Sequence, residues 1–254
     1  MKFSTTIFAL TATACLINIA NAQTLQQEKN GKLQVGVNAH YSDTGYKDYD
    51  NNITVVPTFF YDNNTIYARG NQLGYNFIKN SNNELSVFAQ YGGGSYDPDN
   101  AEGNFKKLEK RDASVFAGAS YMSITPYGAF RGQAMSDVMD KSGGTIGKLE
   151  YLAKLNKGNL TIYPSLGVQW QNDDFNDYYY GVSKKEAAKT GINQYSADSS
   201  FHPYTGLRVN YDINQDWGLF FNQKVAYNPD EVYDSPMVDS RVSASTTIGM
   251  LYAF

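Results

Sequence analysis

Apolar and polar residues alternate along nearly the whole chain. Leu33, Val35, Val37, Ala39 and Tyr41 share one face against Gln34, Gly36, Asn38 and His40. The same period of two runs through Ile53, Val55, Pro57, Phe59 and Tyr61, then Leu85, Val87, Ala89 and Tyr91, then Val115, Ala117, Ala119 and Tyr121. It continues through Leu149, Tyr151, Ala153 and Leu155, and through Leu160, Ile162, Pro164, Leu166, Val168 and Trp170. Thr205, Leu207, Val209 and Tyr211 follow, and then Trp217, Leu219, Phe221, Val225 and Tyr227. Such alternation predicts strands with one apolar face, not helices. Short polar turns ("YDNNT", "KNSNNE", "NKGN", "NQDW") separate some strands, and long loops at 43–52, 92–112, 137–143, 171–200 and 228–240 separate others.

Two architectures accept this pattern. In a β-sandwich the apolar face would fill a core; in an outer-membrane barrel it would meet lipid while the polar face lines the lumen. The closing segment "ASTTIGMLYAF" puts Thr246, Ile248, Met250, Tyr252 and Phe254 on one face. Ending on an aromatic ring is unusual for a water-facing terminus and suits a closing barrel strand. Trp170, Trp217, Tyr61, Tyr211 and Tyr252 fall at strand ends, where amphipathic rings suit a membrane interface. Strands of about ten residues, with tight turns at one end and long loops at the other, are the outer-membrane arrangement. We therefore expect an all-β fold, a single antiparallel transmembrane β-barrel.

Eleven segments are obvious, and bacterial barrels normally have an even number. Reading "TIYARGNQLGYNFI" (65–78) as two short strands hinged at Gly70 and Asn71 gives twelve, with both termini periplasmic and every long loop extracellular. A barrel of ten strands is the alternative count. Parity then assigns His40, Arg131, Lys148, Glu150, Lys154, His202, Arg208 and Lys224 to the lumen. Glu150 is the clear acidic partner among them, so the interior should carry surplus positive charge. Tyr252 and Phe254 are expected to act in assembly by anchoring closure at the interface.

The front end changes the picture once. "MKFSTTIFALTATACLINIANAQ" has one positive charge, an apolar stretch and an A-x-A site, which predicts a signal peptide at 1–22 and a barrel domain at 23–254. A lipoprotein signal would use Cys15, but Ala12 stands where a leucine is usual. Loss of 1–22 removes Cys15 and leaves an exported chain with no thiol. The formal net charge of −4 becomes −5 without Lys2, which is not a nucleic-acid binder's balance. After the signal there is no apolar run near the ~18 residues of a membrane-spanning helix.

Chemistry is scarce. Two histidines and no cysteine leave little material for a zinc or nucleophile site, so neither catalytic residue nor cofactor is expected. "YGGGSYD" (91–97) lacks the Lys-Ser/Thr of a phosphate loop, and "DPDNAEG" (97–103) has Ala101 and Glu102 where a calcium loop wants Asp/Asn and Gly. That loop and the acidic "NDDFND" (172–177) read most simply as solvated.

"YYYGVSKKEA" (178–187) is more specific. Tyr179, Tyr180, Gly181, Val182 and Ser183, followed by Glu186 and Ala187, resemble a motif of the MltA-interacting protein (MipA)/OmpV family of outer-membrane proteins. So does "DSPMVDS" (234–240), with Asp234, Ser235 and Pro236, ahead of the last strand. "GYNFI" (74–78) and "DKSGGT" (140–145) are similar to weaker family features. Gly181 is expected to permit a turn closed to other residues, and Pro236 to stop strand pairing. The tyrosine run reads as packing at the barrel mouth.

The resemblance implies an outer-membrane barrel of a Gram-negative bacterium with no catalytic residues. One family branch implies a scaffold between a murein hydrolase and a murein synthase; another implies a porin-like or adhesive role. Expected partners are outer-membrane lipid and a murein hydrolase/synthase complex, with no nucleic acid and with the oligomeric state open. The periplasmic turns are short, so "QTLQQEKNGK" (23–32) is the main segment left to bind such a complex.

Overall fold

The computed structural model describes residues 33–254. The expected signal peptide, Cys15 and the segment 23–32 lie outside the described residues. Thirteen strand segments follow one another: β1 (Gln34–Asp43), β2 (Thr54–Asp62), β3 (Ile66–Arg69), β4 (Gln72–Lys79), β5 (Asn83–Gly92), β6 (Ser114–Thr125) and β7 (Gly128–Asp137). Then come β8 (Thr145–Leu152), β9 (Leu155–Lys157), β10 (Leu160–Gln171), β11 (Ser200–Asp212), β12 (Trp217–Tyr227) and β13 (Val242–Ala253). Neighbours pair antiparallel, and β13 pairs with β1 from Gln34↔Ala253 to Asp43↔Ala244, which closes the sheet.

β8 and β9 both pair with β10, at Ser165–Gln171 and at Leu160–Ile162, so they are two parts of one stave. The break between them faces Pro164, whose carbonyl accepts from the Ala153 N–H at 3.0 Å but which has no N–H to return. The barrel thus has twelve staves, the expected count. The hinge within 65–78 is present: β3 and β4 meet at Gly70, which has φ +61°.

The outward face is apolar. Val37, Val87, Leu149, Leu166, Leu207, Ile248 and Met250 are all exposed, and Ile248 is 58% exposed. A continuous apolar surface of this extent is not stable against water and suits lipid. Trp217, Tyr252 and Phe254 meet edge to face in sequence at the short-turn rim, with 5.0 Å between successive ring centres. The Phe254 N–H donates to the Leu33 carbonyl at 3.0 Å, so the terminal residue is held to the start of the wall.

One irregularity redirects a charge. The β4–β5 ladder slips between Asn76 and Ile78, and Phe77 and Ile78 are both exposed. A bulge of this kind inverts the alternation beyond it. Lys79 therefore turns away from lipid and donates to both Asp62 oxygens at 2.6 Å. Arg69 joins the same group, 2.8 Å from Asp62 and 3.5 Å from Glu84.

The long-loop end carries three short helices: α1 (Asp173–Tyr180), α2 (Lys184–Thr190) and α3 (Asp230–Tyr233). Two expectations are corrected here. "NDDFND" is not a solvated loop: Asn172 caps α1, and Phe175 and Asn176 are buried. The 97–103 loop is also packed, through the buried Ala101.

Candidate functional site

Loops rooted in separate sectors of the wall meet in one apolar cluster. Tyr46 comes from the β1–β2 loop, Tyr96, Ala101 and Leu108 from β5–β6, Val182 from β10–β11, and Val232, Met237 and Val238 from β12–β13. Since these roots are spread around the barrel, the loops bridge its mouth. Backbone pairs stitch them together, with Tyr46 bridged to Val238 and Tyr49 to Ala101.

Below this cap, α1 packs against the inner wall. Phe175 and Tyr179 lie among Phe88, Phe116, Met135 and Ile146 of β5 to β8. Tyr179 is 0% exposed, and its hydroxyl donates to the Asp112 carbonyl at 3.1 Å. Burial pushes that hydroxyl up to about 12. Asn176 ties the helix to the wall by donating to the Asp198 carbonyl at 2.6 Å and to Ser200 Oγ at 2.7 Å.

The family-motif residues form the centre of this cap. Tyr46 donates to the Tyr179 carbonyl at 3.1 Å, and Ser235 Oγ donates to the Tyr180 carbonyl at 2.6 Å. Ser183 and Glu186 form a capping box at the start of α2. Glu186 also accepts from Arg111 at 2.6 Å and from the Glu109 N–H at 2.9 Å. Burial opposes its charge, but the bonds from Glu109, Arg111 and Ser183 outweigh that and hold its carboxyl below the usual range. Val182 pairs with Tyr195, and Ala187 packs on the apolar cluster. Asp234 ends α3, and Pro236 lies between that helix and β13. The role expected of Gly181 changes. Its φ of −73° is open to any residue, and glycine is needed because a Cβ would come within 2.3 Å of the Asp177 carbonyl.

The second cluster lies on the barrel wall below the cap, among the charged residues of inward parity. Arg131 on β7 pairs with Glu150 on β8. The Tyr204 hydroxyl on β11 also lies against Glu150, and the Tyr204 ring passes over Gly167 of β10. Lys224 on β12 reaches past β11 to Gln169 Oε1 at 3.3 Å, with its ammonium 4.4 Å from the centre of the Tyr204 ring. Lys148 stands in register between Gln133 and Gln169. His202 is buried and bonds Ser200 Oγ at 2.8 Å, while His40 bonds Thr247 Oγ1 at 2.9 Å.

Three of the eight residues, His40, Arg208 and Lys154, stand apart from this group. Arg208 donates to Asn222 Oδ1 at 3.0 Å on an exposed stretch of wall. Lys154 sits in the break between β8 and β9, 5.9 Å from the Tyr163 ring. Among the described residues, no three His, Cys, Asp or Glu side chains gather to hold a metal.

Sequence reasoning missed Arg111, Asn176, Lys79 and Tyr204. Arg111 stands in the charged run "EKRDA" and reads as solvated, and Lys79 is displaced by the bulge. Tyr204 was within reach, because it shares the parity of His202 and Arg208.

A closed, lipid-facing antiparallel wall whose first and last strands both end at the short-turn rim defines an outer-membrane β-barrel. The chain belongs to the MltA-interacting protein MipA family, whose pattern it matches over residues 35–254. It is 32% identical to MltA-interacting protein of Escherichia coli (strain K12), across 88% of this chain and 91% of that one. It is 28% identical to outer membrane protein OmpV of Vibrio cholerae, across 91% and 93%. Among solved structures it is similar to an outer membrane channel from Pseudomonas putida F1, with a TM-score of 0.43 and 8% identity over 89% of this chain and 96% of that chain. Its family and its closed wall make the protein an outer-membrane barrel of the Gram-negative envelope.

Proposed function

We propose that this barrel is a non-catalytic scaffold, fixed in the outer membrane, that holds murein hydrolase and synthase machinery on its periplasmic side. The observation that carries this reading is the cap. A mouth bridged by four loops, with α1 folded against the inner wall, is poorly suited to free diffusion. It leaves a rigid anchor whose exposed short-turn rim includes Tyr127, 75% exposed, and Phe254. The similarity to a protein named MltA-interacting protein supports a partner of the same class. The segment 23–32 is the part of the sequence proposed to bind that partner.

Co-purification of the full chain with murein hydrolases and synthases tests this. Retention of such an enzyme, lost on deletion of 23–32 while the barrel still assembles, is the expected result. A correctly assembled barrel that retains none of them contradicts the scaffold. A narrow channel is the second reading, favoured by the charged belt of Arg131, Lys148, Glu150 and Lys224 on the wall beneath the cap.

A further inference from the structure

We infer that the inner wall of the barrel holds a small oxyanion, of the phosphate or carboxylate class, between Lys148 and Lys224. Arg131, Lys224 and Glu150 are the charged groups that act on Lys148. Three cations thus face one carboxylate. That carboxylate is already engaged by Arg131 and flanked by the Tyr204 hydroxyl. Among the described residues, Lys224 bonds directly only to a neutral acceptor, Gln169 Oε1 at 3.3 Å, and lies over the face of the Tyr204 ring, while Glu150 acts on it without a direct bond. Among the described residues, the Lys148 ammonium has no hydrogen-bond or ion-pair partner.

Other inner-wall carboxylates are committed elsewhere. Asp62 is bound by Lys79 and Arg69, and Glu84 lies beside Arg69. Asp137 is held by Ser114 Oγ at 2.5 Å and by the Ser142 N–H at 2.7 Å. Two ammonium groups enclosed by protein repel one another far more than in water, and an anion between them converts that repulsion into two charge-assisted bonds. Gln133 and Gln169 flank Lys148 in register, and an amide N–H from either would complete an oxyanion's donors. The closed ladder separates this position from lipid, so the ligand is a free solute and not a headgroup. Nothing in this requires the barrel to conduct, and the site is independent of any partner below the membrane.

The test is binding of inorganic phosphate, and separately of acetate, to the full barrel in zwitterionic micelles, read by calorimetry and by phosphate line broadening in phosphorus NMR. The expected result is saturable binding at one site, weakened at least about tenfold in Lys148→Gln and in Lys224→Gln. Lys185→Gln, on the surface of the cap, should bind as the unaltered protein does. Heat-modifiable migration checks that each variant is folded, and if one fails to fold the other carries the test. Absence of saturable binding of either anion to the unaltered barrel overturns the inference. Binding undiminished in a folded Lys148 or Lys224 variant also overturns it, because the anion would then sit elsewhere.

Discussion

Arg111 donates to Glu186 at 2.6 Å across 75 residues of sequence, and neither side chain is more than 8% exposed. The pair joins the β5–β6 loop to α2, two parts of the cap that share no strand ladder. Glu186 accepts three further bonds, from the Glu109 N–H, the Ser183 N–H and Ser183 Oγ. A carboxylate satisfied in this way loses little by burial, whereas removing its charge strands the guanidinium.

Glu186→Gln should therefore loosen the cap and leave the barrel standing. Breaking such a pair costs about 3–5 kcal/mol, enough to raise cap opening more than a hundredfold. Amide exchange should speed up in 173–195 and stay slow in β10 and β11. Uniform protection of both regions in the variant would show that the pair does not hold the cap.

The same carboxylate sets a pH dependence. Its pKa is depressed in the folded cap, so its stabilisation is fully present above the ordinary glutamate value of about 4.3 and is lost as pH falls through the lower folded value. Proteolysis of the long loops by an acid-active protease should rise below about pH 4 while heat-modifiability persists. Cleavage that does not change between pH 7 and pH 3 would contradict this.

The bulge at Asn76/Ile78 makes a separate claim about Lys79. A double-mutant cycle on Lys79→Met and Asp62→Asn should return a coupling of about 1.5–3 kcal/mol in the denaturant unfolding of the barrel. A coupling near zero would mean that Lys79 points to lipid and that the alternation was never inverted.

Deleting Phe254 removes its ring contact with Tyr252 and its N–H bond to Leu33. An aromatic contact of this kind is worth about 0.5–1.5 kcal/mol. The heat-modifiable fraction in outer membranes should fall, and Tyr252→Ala should deepen the loss. Unchanged assembly would show that the aromatic terminus is incidental.

The wall was legible in the sequence because its rule is local. Each stave repeats a period of two, so the outward set at Val37, Leu149 and Ile248 follows from neighbours alone. Twelve staves required only that Gly70 and Asn71 mark a hinge. The cap was not legible, because its contacts join distant loops and leave no period. "NDDFND" looks solvated unless Phe175 is known to meet Phe116. The tyrosine motif was visible as a motif, and its reading as packing at the mouth agrees with the burial of Tyr179. Its latch partner Arg111 carried no signal of its own. On the wall, parity groups Lys148 with Lys224, but local alternation gives no sign that Lys154 sits in the break between β8 and β9 opposite Pro164.

The capped mouth is the central claim, and planar-bilayer conductance tests it most directly. The unaltered barrel should show no sustained open level. Phe175→Ala with Tyr179→Ala removes the two rings that hold α1 to the wall, at about 3–5 kcal/mol each, and should produce steady openings that favour anions. A steady conductance in the unaltered protein equal to that of the double variant would contradict the account.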